Sequence, residues 1–291
     1  MYQQLVPIIA PVLLCTALGY GWARLRLPFD REFVTQIVMN IGAPCLVLNG
    51  ISGLGVDSTS FIAMIGAAIL LIVVVAAAAT VILGILRQPL RSYLPPIVFS
   101  NVGNMGLPLC YFAYGDEGLG LAVGFYLVYS VIQFTVAPLF QGRETAWRTL
   151  ITTPAIYAAA IGLLLLTTGS TLPLWLGNTV ELLAGVTIPL MIITLGHALG
   201  SFTVRRFGIS LGMSVLRLVI GFSAGLVLVK FLNFEGTMRG VMIIQAAMPV
   251  AAFSYLFAAR YQRHPDDVAG AIVISTLISF VSLPFLLSLA L

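Results

Sequence analysis

From residue 4 to residue 290 the chain is written as one long apolar stretch after another, parted only by short polar breaks. A helix of about 20 residues crosses a ~30 Å hydrocarbon core. In lipid every backbone N–H and C=O must find a partner inside the protein, so helices and closed barrels are the only spanning folds. With 60% of its 291 residues apolar and 8% charged, the chain has no polar segment long enough for a soluble domain. The expected class is an all-α polytopic membrane protein.

Spans are predicted at 4–23, 32–51, 59–86, 92–113, 118–140, 151–169, 175–199, 206–231, 237–259 and 266–290. The breaks are turn and charge clusters such as Gly53-Leu54-Gly55-Val56-Asp57, Tyr114-Gly115-Asp116-Glu117-Gly118 and Arg263-His264-Pro265-Asp266-Asp267. The opening Met1-Tyr2-Gln3-Gln4 lacks the basic region of a signal peptide and is expected to begin a first span rather than a leader.

Basic residues fix the orientation, because Lys and Arg are retained in cytoplasmic loops. Arg24, Arg26 and Arg31 lie in the first loop, Arg87 and Arg91 in the third, Arg143 and Arg148 in the fifth, Arg205 and Arg206 in the seventh, and Arg260 and Arg263 in the ninth. Even loops hold only Lys230 and Arg239. The alternation supports ten spans in the cytoplasmic (inner) membrane with both termini periplasmic. The net charge of +4 is scattered over these loops, so no nucleic-acid partner is expected. Cys15, Cys45 and Cys110 each fall inside an apolar stretch without metal-ligand spacing, and no metal or cofactor is expected.

Prolines inside the spans recur in pairs: Pro11 with Pro154, Pro44 with Pro189, Pro108 with Pro249 and Pro138 with Pro284, at separations of 143, 145, 141 and 146. Ile132, Phe134 and Pro138 recur together as Ile278, Phe280 and Pro284. Such weak internal symmetry is the trace left by transporter repeats. It divides the chain into a first five-helix repeat at 1–145 and a second at 146–291. Five spans being odd, the second repeat enters the membrane from the opposite face.

The fourth span contains Ser100-Asn101-Val102-Gly103-Asn104-Met105-Gly106-Leu107-Pro108, and the ninth Gln245-Ala246-Ala247-Met248-Pro249. Proline removes a backbone donor and glycine loosens the chain, so both spans are expected to break near the bilayer midplane. Half-helix amino termini meeting there would suit a carboxylate. The competing reading is that Asn101, Asn104 and Gln245 only join neighbouring helices and the prolines only kink them. Tyr126, Tyr129 and Gln133 recur at helical spacing in the fifth span, as polar contacts for a substrate or as packing. Arg217, well inside the eighth span, would attract an anion or reach outward to the interface; His197 would cap or join helices. Glu181 and Asp57 are expected in water, and no carboxylate falls at the middle of a span, which argues against a dedicated sodium/proton antiporter.

In Asn101-Val102-Gly103-Asn104-Met105-Gly106-Leu107-Pro108-Leu109, in Ile188-Pro189-Leu190-Met191 through Leu195-Gly196-His197-Ala198-Leu199, and in Ala246-Ala247-Met248-Pro249 through Ser254-Tyr255, the chain resembles the auxin efflux carrier family of bacterial and plant transporters. The resemblance runs over essentially the whole length. It implies a ten-helix fold shared with bile-acid and sodium/proton carriers, with a scaffold of spans 1, 2, 6 and 7 and a transport domain of the other six. It further implies an elevator-like movement, a homodimer through the scaffold, and a small organic anion held where spans 4 and 9 cross. Asn101, Pro108 and Pro249 carry over to that crossing most directly, Gln245 and Gln133 more loosely. The fifth loop, Gln141 to Thr149, is too short to be the regulatory loop of many plant members, so kinase control of that kind is not expected.

The leading function is thus secondary transport of a small carboxylate, with bacterial relatives commonly labelled malate or malonate permeases. A sodium-coupled symporter of the bile-acid type is the alternative. An intramembrane enzyme is not expected, since the chain has no His-Glu zinc motif, no midplane aspartate pair and no nucleophile elbow.

Overall fold

Local chemistry decides where the helices run and where they stop. A computed structural model describes residues 2–52, 58–140 and 154–291. Its helices are α1 (Tyr2–Arg24), α2 (Arg31–Ile37), α3 (Ala43–Ser52), α4 (Ser58–Ile85), α5 (Leu90–Val98), α6 (Leu107–Phe140), α7 (Pro154–Thr168), α8 (Leu174–Ser201), α9 (Phe207–Phe231), α10 (Gly236–Ala246), α11 (Phe253–Arg260) and α12 (Pro265–Ala290). Two wide π-turns, Val38–Gly42 and Val102–Gly106, precede α3 and α6. Each ends two residues before a proline, Pro44 or Pro108. A proline ring collides with the carbonyl four residues earlier in a regular helix, and the wider turn makes room for it. No strand forms among the described residues; the single β-type pairing is an isolated antiparallel bridge between Ser100 and Val250.

Six stretches among the described residues are long and apolar enough to cross a membrane: Leu5–Arg24, Arg31–Gly50, Ser58–Ile85, Leu174–Ser201, Phe207–Phe231 and Pro265–Ala290. The other four predicted spans differ for identifiable reasons. Those at 92–113 and 237–259 are broken in the middle. The one at 118–140 shares α6 with the end of its predecessor, and the one at 151–169 is described only from Pro154. The breaks expected at 53–57 and 141–149 lie outside the described residues, as do Asp57, Arg143 and Arg148.

Within α6 the chain turns back at Gly115, whose φ of 61° and ψ of −145° suit only glycine. A methyl group on Gly118 would run into the Cys110 carbonyl and the Tyr114 side chain, so the helices before and after the turn lie side by side. The Tyr114 hydroxyl donates to the carbonyl of Ala290 at 2.6 Å and ties this turn to the end of α12.

Lipid tails are as apolar as leucine, so packing of small residues rather than burial of apolar area draws such helices together. α1 lies along α8 at backbone contact, where a Cβ on Gly19 or Gly196 would overlap the carbonyl oxygen of Ile193 or Thr16. α3 packs on α7, α4 on α6, and α9 on α12. Outward-facing residues are apolar, among them Leu14, Trp175, Leu182, Val219 and Val281.

The loops at one end gather the basic residues. Arg205 bonds Asp266 and Arg206 bonds the buried Asp267, both at 3.1 Å. Tyr93 donates to Asp267 at 2.8 Å, and Arg31 packs 5.1 Å above the Phe202 ring.

Candidate substrate site at the crossing

α5 stops at Val98 and α10 at Ala246 because the next residues leave helical geometry. Phe99 is extended, with ψ of 111°. The two extended segments then cross and pair by main chain: the Asn101 N–H donates to the Pro249 carbonyl at 2.7 Å, and the Ala251 N–H to the Phe99 carbonyl at 3.0 Å. Pro249, which has no donor of its own, offers the pairing an acceptor. The Val250 N–H is taken by the Ser275 hydroxyl of α12 at 3.1 Å. Main-chain groups freed by the breaks are thus bonded inside the protein, as hydrocarbon demands.

Beneath the crossing lies Arg217 of α9, completely buried. It does not reach outward, and it meets no anion among the described residues. Its Nε donates to the Met248 carbonyl at 3.2 Å, Nη1 to those of Ile97 and Val98 at 3.1 and 3.2 Å, and Nη2 to that of Ala246 at 2.6 Å. These are carbonyls at or just beyond the carboxyl ends of α5 and α10, where the helix dipoles are negative. Gly221 lets α9 come this close, since a Cβ there would overlap the Ala246 carbonyl.

The predicted site residues take different places around this frame. Asn101 is 4% exposed, and its Nδ2 has no partner among the described residues. Gln245 is fully buried with both amide atoms unpartnered, its side chain against Gly106, where a Cβ would strike Oε1. Gln133 is buried one turn beyond Tyr129 on α6, its Nε2 likewise unpartnered. Buried polar atoms normally have partners, and these three amides keep hydrogen-bonding capacity to spare. Pro108 sits at the start of α6 and Pro249 in the pairing. Neither is among the described residues lining the two cavities below. Tyr126 and Tyr129 are buried; Tyr126 lies over Gly103 and its hydroxyl reaches the Met39 sulfur at 3.8 Å.

Of the six, Asn104 is among the residues lining a cavity of about 670 Å³ entered from the basic end. One wall comes from the crossing and α11 (Asn104, Tyr255, Arg260) and the other from α2, its π-turn and α8 (Arg31, Asn40, Thr194). Among the described lining residues, Arg31 and Arg260 are the cations and Glu32 the carboxylate. Arg31 Nη2 lies 3.2 Å from His197 Nδ1, and the His197 ring stacks on Phe29 at 4.3 Å, an interface role for this histidine. A second cavity of about 710 Å³ enters from the opposite end past Asn49, Asp116 and Glu181.

Sequence reasoning missed Asn40 and Thr194, whose only signal is their closeness to Pro44 and Pro189. It left Arg217 between attracting an anion and reaching outward; the buried side chain does not reach outward.

Comparison with known proteins bears on what such a crossing does. The family described as membrane transport protein matches residues 139–287, just over half of the chain. The chain belongs to this family, that of the auxin efflux carriers. This auxin efflux carrier family member is 27% identical to an uncharacterized transporter of Methanothermobacter thermautotrophicus over 95% of both chains. It is 22% identical to an uncharacterized transporter of Methanocaldococcus jannaschii over 63% of both. It is also 27% identical to auxin efflux carrier component 8 of Arabidopsis thaliana, over 46% of this chain and 38% of that one. The family and these relatives are transporters, not enzymes, and the chain is a membrane transporter.

Proposed function

We propose that this transporter is a secondary carrier of a small organic anion, a carboxylate, held where residues 99–108 cross residues 245–253. The observation that carries this reading is the main-chain pairing of two broken helices beside buried amides without partners, Asn101 Nδ2 foremost. Positive half-helix ends and free amide donors suit a carboxylate without a side-chain cation in direct contact.

The wider plan is that of ten spans in two inverted repeats, 1–145 and 146–291. The helix neighbours favour it: α1 on α8 answers α7 on α3, and α4 on α6 answers α9 on α12. Spans 1, 2, 6 and 7 then form a scaffold, through which two copies associate, and the remaining six a transport domain. Cavities from both ends meet the boundary between these two groups, and sliding of the transport domain along the scaffold in an elevator-type movement would expose the crossing to each side in turn. The basic end faces the cytoplasm and both termini the periplasm.

The test is uptake of radiolabelled mono- and dicarboxylates into proteoliposomes. Wild-type protein should accumulate at least one of them, and Asn101→Ala should fall to the protein-free rate while retaining its thermal stability. Equal uptake by Asn101→Ala would remove the crossing from the site; absence of any carboxylate flux in wild type would remove the substrate class.

A further inference from the structure

Where a membrane helix is broken, carbonyls of the unwound segment and of half-helix carboxyl ends are the groups that hold a coupling cation in many carriers. In this chain those groups are already engaged. Arg217 spends four hydrogen bonds on the carbonyls of Ile97, Val98, Ala246 and Met248, drawn from both broken spans. A guanidinium keeps its proton in a protein, so a fixed positive charge stands against the negative ends of two helices. None of the ion pairs among the described residues includes Arg217, and the side chain is fully buried. Among the described residues its charge is met by carbonyl dipoles rather than by a carboxylate. Asn101 and Gln245, predicted site residues on the two crossing segments, are neutral.

We propose that Arg217 is the resident cation of the crossing: it stands where a coupling metal ion would bind and supplies the positive potential for a substrate carboxylate, so that the anion is recognised without sodium. The inference rests on the crossing being the anion site. Replacing a mobile cation with a tethered one has a definite result. Affinity for the anion does not depend on the sodium concentration on either side, and the positive charge stays with the protein when the anion leaves. A bound monoanion cancels that charge, so the loaded crossing is closer to neutral than the empty one.

The experiment compares thermal unfolding of the purified full chain in equal concentrations of sodium, potassium and choline chloride, alone and with a panel of mono- and dicarboxylates. Wild type should unfold at the same temperature in all three salts, and any carboxylate shift should be the same in sodium as in potassium. Arg217→Gln should bind that carboxylate about tenfold more weakly, a loss of ~1.4 kcal/mol, and should gain a stabilisation by sodium or guanidinium that wild type lacks. Sodium-specific stabilisation of wild type overturns the proposal, as does unchanged anion binding in a folded Arg217→Gln. If that variant does not fold, the salt comparison on wild type decides alone. A wild type that answers to no carboxylate in any salt counts against the anion site itself, and the salt comparison still tests the place of Arg217.

Discussion

The Asn101 N–H donates to the Pro249 carbonyl at 2.7 Å, so the two broken spans are joined by main chain and the Asn101 side chain is left free of that task. Frame and recognition are thereby separable at a single residue. Substituting the asparagine leaves the pairing intact, whereas substituting the proline acts on the frame.

Pro249→Ala is expected to abolish carboxylate uptake in proteoliposomes. Alanine keeps the acceptor carbonyl but adds a backbone donor and removes the restriction on the preceding residue, so helix α10 can wind on through residue 249. Amide hydrogen exchange at 247–251 should show the change as new protection; uptake at the wild-type rate would contradict it.

Gly106→Ala should destabilise the protein by about 1–3 kcal/mol, because the new methyl strikes Gln245 Oε1. The obstacle is a side-chain end rather than backbone, so adding Gln245→Ala should recover most of the loss. A double-mutant cycle of unfolding temperatures measures this coupling; simple additivity would mean that the two residues do not meet.

Tyr93→Phe removes the donor that lies 2.8 Å from Asp267 Oδ2. Asp267 keeps Arg206 at 3.1 Å, so the expected cost is about 1–3 kcal/mol, that of one buried polar group left short of a partner. Asp267→Ala should cost more, since it strands Tyr93 and Arg206 together. The comparison of their unfolding temperatures checks the order.

Asn40 lines the cavity from the basic end and is exposed. With Cys15, Cys45 and Cys110 replaced by alanine, Asn40→Cys should react with a membrane-impermeant thiol reagent applied from the cytoplasmic side, and a transported carboxylate should slow the reaction. Labelling from the periplasmic side only would reverse the orientation.

A periplasmic reporter fused after Leu291 should be active. Activity of a cytoplasmic reporter at that position would refute the count of ten spans or its direction.

Much of the crossing was legible because residues such as Asn101, Asn104, Pro108 and Pro249 have no ordinary reason to stand inside an apolar span. Gly115 likewise announced its turn through the polar residues beside it. The bonding of Arg217 was not legible. Its acceptors are main-chain carbonyls, which every residue carries, and they lie as far as 120 positions away in sequence. Nor could the cavity be foreseen, since Asn40, Thr194 and Tyr255 come from three segments that only the fold brings together. Of six predicted site residues, Asn104, which is among those lining it, is distinguished from Asn101 by its place on a π-turn, which sequence periodicity does not register.

The antiparallel bridge at Ser100 and Val250 is built from atoms that substitution does not touch, prolines aside. Mutational drift can therefore retune the neighbouring amides and the walls of the cavity while the joint between the spans persists. Relatives that share barely a quarter of their residues can inherit one chassis and diverge in cargo, and kinship alone is a poor guide to what any one of them carries.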